Sequence, residues 1–142
     1  MVRAFLDYLS QLKGNGDGTF NGMLSAKLRG CDYEKRWLEL AIETKSWMSN
    51  PDGVVHGGVS AAMLDMTMGL LCRYFSGGGM APTVSLQMNY LRPVPVDAVI
   101  CLRAELTKRG FSLCHATGSA WIDGAPDKIL CTSTGVFFAN NP

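Results

Sequence analysis

Residues 50–71 read NPDGVVHGGVSAAMLDMTMGLL, and this stretch decides how the rest of the chain must be arranged. Asn50 and Pro51 open a turn that Gly53 closes. Beyond HGG, an apolar run rich in Ala, Leu and Met predicts a helix over 58–75, ended by the glycine run SGGG at 76–79. The predicted helix is apolar nearly all round, which a helix in water tolerates only when other structure wraps it. A single carboxylate, Asp65, stands in its middle. Its neighbours one turn away are Ala61, Ala62, Met68 and Gly69, so mostly small residues flank the charge.

The segments on either side are suited to wrapping it. Val2, Phe5, Leu6 and Leu9 recur at helical spacing and predict an N-terminal helix over 1–14, stopped by KGNGDG at 13–18. Apolar and polar residues alternate from Thr19 to Arg29 and from Trp37 to Met48, the pattern of strands with one covered face. After the central helix the alternation resumes over 84–90, 100–106, FSLCHATGSAWI at 111–122 and ILCTSTGVFFA at 129–139. RPVPVD at 92–97 and DGAPD at 123–127 supply turns, so the last four strands are expected to be antiparallel meander or hairpin neighbours. The order is helix, two strands, long helix, four strands. It predicts an α+β fold, one antiparallel sheet curved around one helix, in a single domain spanning 1–142.

Composition narrows the function classes. With 47% hydrophobic residues, 18% charged residues and a formal net charge of +1, the chain is globular and carries no global field for nucleic acid or an anionic membrane. Five cysteines, an odd number with no CxxC pair, read as reduced thiols and not as a disulfide framework or a zinc site. His56 and His115 are the only histidines, and no carboxylate lies at a helical ligand spacing from either, so neither a metal nor a cofactor is expected. Asp7 interrupts the apolar stretch at the N-terminus, a poor secretion signal, and no run reaches the roughly 18 apolar residues of a membrane span. A cytoplasmic protein is expected.

The chemistry concentrates where the quoted stretch begins. A buried carboxylate without a partner is costly, and such costs are kept mainly where they serve a site. Gly57 and Gly58 lack Cβ atoms, so a ligand can approach their amides at the positive end of a helix dipole, where an oxygen gaining negative charge is stabilised. Each feature also has an ordinary explanation: a glycine pair making a tight turn, an asparagine capping its own backbone, a histidine in a turn. Together, Asn50, His56, Gly57 and Asp65 place an amide, an imidazole, an oxyanion donor and a carboxylate close in sequence.

That set, in that order, resembles the hotdog-fold acyl-CoA thioesterases of the phenylacetate-pathway (PaaI-like) type, whose signature is an Asn, a turn, HGG and an Asp on the central helix. The resemblance implies a hotdog fold and hydrolysis of acyl-CoA to free acid and CoA. It assigns the Gly57 amide to the developing oxyanion and Asp65 to the role of general base or nucleophile. It makes His56 and Asn50 a hydrogen-bonded pair shaping the site, and gives Thr83, at the start of the following strand, the task of orienting the water. On alternation Thr83 shares the polar parity of Ser85 and Gln87, so reaching Asp65 requires a local bend. Gly58 lies beside the substrate, and Arg92, Lys108, Arg109 and Lys128, near predicted strand ends, are candidates to hold the CoA phosphates. The resemblance further implies homodimers with sites built from two chains, assembling into homotetramers.

A non-catalytic acyl-CoA or aromatic-ligand binding protein of the same fold is the alternative, with a dehydratase third. Asp65 argues against the binding protein, because an anionic ligand gains nothing from a buried carboxylate that performs no chemistry.

Overall fold

The computed structural model describes residues 1–14 and 18–139. Helix α1 (Val2–Gly14) and a short helix α2 (Phe20–Leu24) precede strands β1 (Lys27–Asp32) and β2 (Trp37–Glu43). After a 3-10 turn at Ser46–Met48 comes α3 (Gly57–Phe75), followed by β3 (Thr83–Tyr90), β4 (Val99–Arg109), β5 (Leu113–Ile122) and β6 (Cys131–Phe138). The six strands form one antiparallel sheet in the order β1-β2-β4-β5-β6-β3. One continuous apolar cluster runs from Phe5 to Ala139 and has Met63, Leu64, Met68 and Leu71 of α3 within it. The expected α+β architecture, an antiparallel sheet around a long helix, is present.

Two glycines let the helix come close. A Cβ at Gly118 on β5 would meet Leu64 at 3.1 Å and Met68 at 3.3 Å, and one at Gly135 on β6 would meet the Phe137 ring at 2.7 Å. Larger residues there would push the helix off the sheet or force Phe137 to move.

Three expectations are corrected. The stretch from Thr19 to Arg29 is not one strand: the Thr19 hydroxyl accepts from the Gly22 amide and caps α2, Ser25 closes that helix at φ 49°, and β1 begins only at Lys27. Phe20 and Leu24 fit helical spacing as well as alternation, and the cap decides between them. The strand expected from Trp37 to Met48 ends at Glu43: Thr44 is held by the segment just before β4, its hydroxyl donating to Pro95 O at 2.8 Å and its amide to Ala98 O, and Ser46–Met48 then forms the 3-10 turn. The last four strands are not all sequential neighbours either. β3 pairs with β6, while β4 lies between β2 and β5, so RPVPVD is a crossover and not a hairpin. Pro93 and Pro95 have no amide to donate, and the segment instead crosses near the start of α3, where Val55 N donates to Val94 O. Part of the predicted glycine-rich stop at 13–18 lies outside the described residues.

The sheet covers one face of α3 and leaves a stripe in which Ala61, Ala62, Asp65, Gly69 and Arg73 are half-buried and Gly58 is exposed. Beside that stripe runs the edge strand β3, with Val84 47% and Tyr90 55% exposed. Among the described residues no helix is long and apolar enough to cross a membrane.

Candidate functional site

His56 begins the site by capping α3. Its Nδ1 accepts the Gly58 amide at 2.9 Å, which places the proton of the neutral ring on Nε2. The His56 carbonyl accepts the Val59 and Ser60 amides. The early amides of the helix are thereby used, except one: Gly57 N donates to no group among the described residues. The same residue is held from its other end, where the Tyr90 hydroxyl donates to Gly57 O at 2.8 Å and the phenol ring packs over its α-carbon. Burial, and secondarily Cys131, pushes the Tyr90 phenol above its ordinary pKa, so it remains a donor.

Asn50 holds the preceding loop. Its Oδ1 accepts the amides of Asp52 at 3.0 Å and Val54 at 3.3 Å, an Asx-type turn, while its own amide donates to Val54 O. The side chains of Asn50 and His56 thus bond to nearby backbone in this chain and not to each other.

Asp65 lies two turns into α3 on the uncovered stripe, half-buried, so the premise of a fully buried charge is corrected. The Thr83 hydroxyl donates to its Oδ1 at 2.7 Å. The bend this needs is present: the β3–β6 register shifts between Thr83 and Ser85, and the bulge frees Thr83 from the parity of Ser85 and Gln87. Asp65 and Thr83 border a cavity of about 260 Å³, whereas Gly57, Tyr90, Leu91 and Arg92 border a separate one of about 310 Å³.

The predicted cations separate. Arg92 lies beside Gly57 and donates from Nη1 to Ile129 O at 2.8 Å. Lys108 and Arg109 lie at the far end of β4, where Arg109 borders a cleft with Phe75 at the opposite end of α3. Lys128 is exposed in the β5–β6 turn. Sequence reasoning missed Tyr90, a strand residue whose role depends on where β3 ends relative to α3. It also missed Arg73, whose guanidinium lies 4.9 Å from the Tyr8 ring centroid at the margin of the Asp65 cavity. Burial pushes the thiols of Cys101 and Cys131 up to about 11 and that of Cys72 higher still. Among the described residues no three His, Cys, Asp or Glu side chains converge to hold a metal ion.

The chain has relatives among known proteins. A bovine acyl-coenzyme A thioesterase THEM4 is 32% identical over 111 residues, 77% of this chain and 43% of its own. A phenylacetic acid degradation-related protein of Ralstonia eutropha JMP134 superposes with a TM-score of 0.78 at 30% identity, over 92% of this chain and 98% of that one. Zebrafish thioesterase superfamily member 2 superposes at 0.81 with 18% identity, over 94% and 96%, a likeness of fold. The chain spans between about a quarter and three fifths of the length of the curated relatives it matches. The thioesterase superfamily profile matches residues 52–126, from the turn before HGG through the end of β5, and this chain belongs to that superfamily.

Proposed function

We propose that this chain hydrolyses acyl-CoA thioesters to free acid and CoA, in the cytoplasm and without a cofactor, as a single hotdog domain that dimerises and assembles further into a homotetramer. The observation that carries the reading is the one uncommitted helix amide, Gly57 N–H, on the same helix as a carboxylate already gripped by a hydroxyl.

Gly57 and Asp65 are eight residues apart, about 12 Å along a helix, while reacting groups must close to roughly 3–3.5 Å. One chain therefore cannot bring both to one thioester. A second copy, related by a twofold axis and lying antiparallel against the uncovered stripe of α3, would set its Asp65 opposite this Gly57, and the exposed edge of β3 offers strand pairing on the same side.

In that composite site the Gly57 amide polarises the thioester carbonyl, sharpened by the helix dipole. Asp65, oriented through Oδ1 by Thr83, takes a proton from water as the water oxygen bonds to the carbonyl carbon. The C–S bond then breaks, CoA leaves as the thiolate, and the proton on Asp65 returns to the sulfur. In the alternative route Asp65 itself attacks, and water opens the resulting anhydride. Arg92, which borders the same cavity as Gly57, would meet a CoA phosphate at the mouth.

Thiol release from phenylacetyl-, hydroxyphenylacetyl- and medium-chain acyl-CoAs tests the reading. Asp65→Asn should lower kcat/KM by about 10²–10⁴-fold while circular dichroism stays native, because the carboxylate is half-exposed. Gly57→Pro removes the single amide at a position where proline suits the first helical turn, and His56 before it is already extended at φ −56°, ψ 136°. Random mixing of these two inactive variants should restore roughly a quarter of wild-type activity, since half the dimers then hold one intact composite site. No recovery on mixing, with subunit exchange demonstrated, would overturn the composite site. Binding without thiol release would leave a binding protein.

A further inference from the structure

The cavity beside Asp65 does not end at the carboxylate. It continues along α3 between Met66, Leu70, Met80 and Phe137, and Arg73 borders it two turns beyond Asp65, about 12 Å along the axis. Arg73 also borders the adjoining cavity of about 210 Å³ between α1 and α3. The side chain is pinned: Nε donates to Gly78 O at 3.0 Å, and the guanidinium carbon lies over the Tyr8 ring, 4.9 Å from its centroid. These contacts use one N–H, leaving the terminal amino groups without an acceptor among the described residues. Asp7, the carboxylate that borders this second cavity with Arg73, is engaged by Arg3 at 3.1 Å.

A pinned guanidinium with free N–H groups, at the end of an apolar slot that starts at a candidate catalytic carboxylate, suits a ligand apolar in its middle and anionic at its tip. Resting on the proposed thioesterase reading, we infer that Arg73 selects acyl groups ending in a carboxylate, so that the preferred substrates are mono-CoA thioesters of dicarboxylic acids spanning two helical turns. Asp65 does not oppose this. The distal carboxylate lies more than a Debye length from it at physiological ionic strength, while the group beside Asp65 is the neutral thioester. Tyr8, whose hydroxyl is a further donor, borders the same slot.

The test compares sebacyl-CoA with decanoyl-CoA and dodecanedioyl-CoA with dodecanoyl-CoA, pairs alike in length and differing at the tip. The ratio of kcat/KM, diacid over monoacid, should be about tenfold higher in wild type than in Arg73→Met, a modest factor because Arg73 is partly solvated. Arg73→Lys, which keeps the charge and loses the fork, should fall between. The same ratios are measured as affinities in the Asp65→Asn background by calorimetry. Equal ratios in wild type and Arg73→Met, in turnover and in binding, overturn the selector. A ratio that persists in binding while no thioester is hydrolysed keeps the selector and removes the hydrolase reading; hydrolysis with no ratio does the opposite. Should Arg73→Met unfold, the Arg73→Lys comparison decides.

Discussion

The two faces of α3 differ in side-chain size and meet opposite environments. On one, Met63, Leu64, Thr67, Met68, Leu71 and Cys72 are all but fully enclosed by the sheet, which Gly118 and Gly135 allow to approach. On the other, Ala61, Ala62, Asp65 and Gly69 form a half-open stripe beside an edge strand. The first face is covered by the chain's own fold. The second is apolar enough to need covering and small enough to admit a close neighbour, and it carries the one carboxylate. Hydropathy reports that a surface will be buried; it does not report what buries it.

Mutations on the two faces should therefore fail in different ways. The largest effect is expected at Leu64, fully buried against Gly118: Leu64→Ala should cost about 2–5 kcal/mol of unfolding free energy, read by denaturant titration, while the folded fraction keeps its assembly and its turnover per site. A cost no greater than that of Ala62→Ser would mean the sheet is not the main support of the helix. Next comes Ala62→Glu, which adds a second carboxylate one turn from Asp65 on the stripe that the proposed partner copy covers. Sedimentation should show monomers, and kcat/KM should fall by about 10²–10³-fold, the cost of losing an oxyanion donor, because each Asp65 then lacks a Gly57 amide opposite it. A fully active dimer would move the contact between copies elsewhere.

Much of this was legible in the sequence, and the gaps have physical reasons. The long helix was readable to within two residues because SGGG stops it and HGG starts it. The strands β4 to β6 were readable because alternation suffices when one face meets a core and the other does not. Strand order was not, since local patterns are silent on which edges pair, and RPVPVD looks the same as a turn and as a crossover. Asp65 stood out as the only charge in an apolar run, and the proximity of Thr83 followed only once a bulge, invisible to alternation, broke the parity of β3. Tyr90 and Arg73 were missed because each is defined by a contact between elements far apart in sequence: Tyr90 with Gly57, Arg73 with Tyr8.

The finest contrast between the faces is a pair of hydroxyls. Thr67, on the covered face, donates at 2.8 Å to Met63 O, a helical carbonyl one turn back; Tyr90 donates at the same distance to Gly57 O, in the turn that presents the free amide. Each substitution, Thr67→Val and Tyr90→Phe, removes one hydroxyl and keeps most of the shape. The Thr67 bond merely duplicates what the helix already provides, so its loss should leave kcat/KM within twofold or so of wild type. The Tyr90 bond is different in kind, because it ties the start of α3 to the end of β3 and so fixes the direction of the Gly57 N–H. Its loss should lower kcat/KM by about threefold to tenfold, mainly through kcat, since an oxyanion donor acts most strongly when charge has developed. An unchanged KM with a lowered kcat in Tyr90→Phe, beside a Thr67→Val protein indistinguishable from wild type, would make Tyr90 a positioning residue. Equal turnover in the two variants would mean that capping by His56 alone is enough to aim the amide.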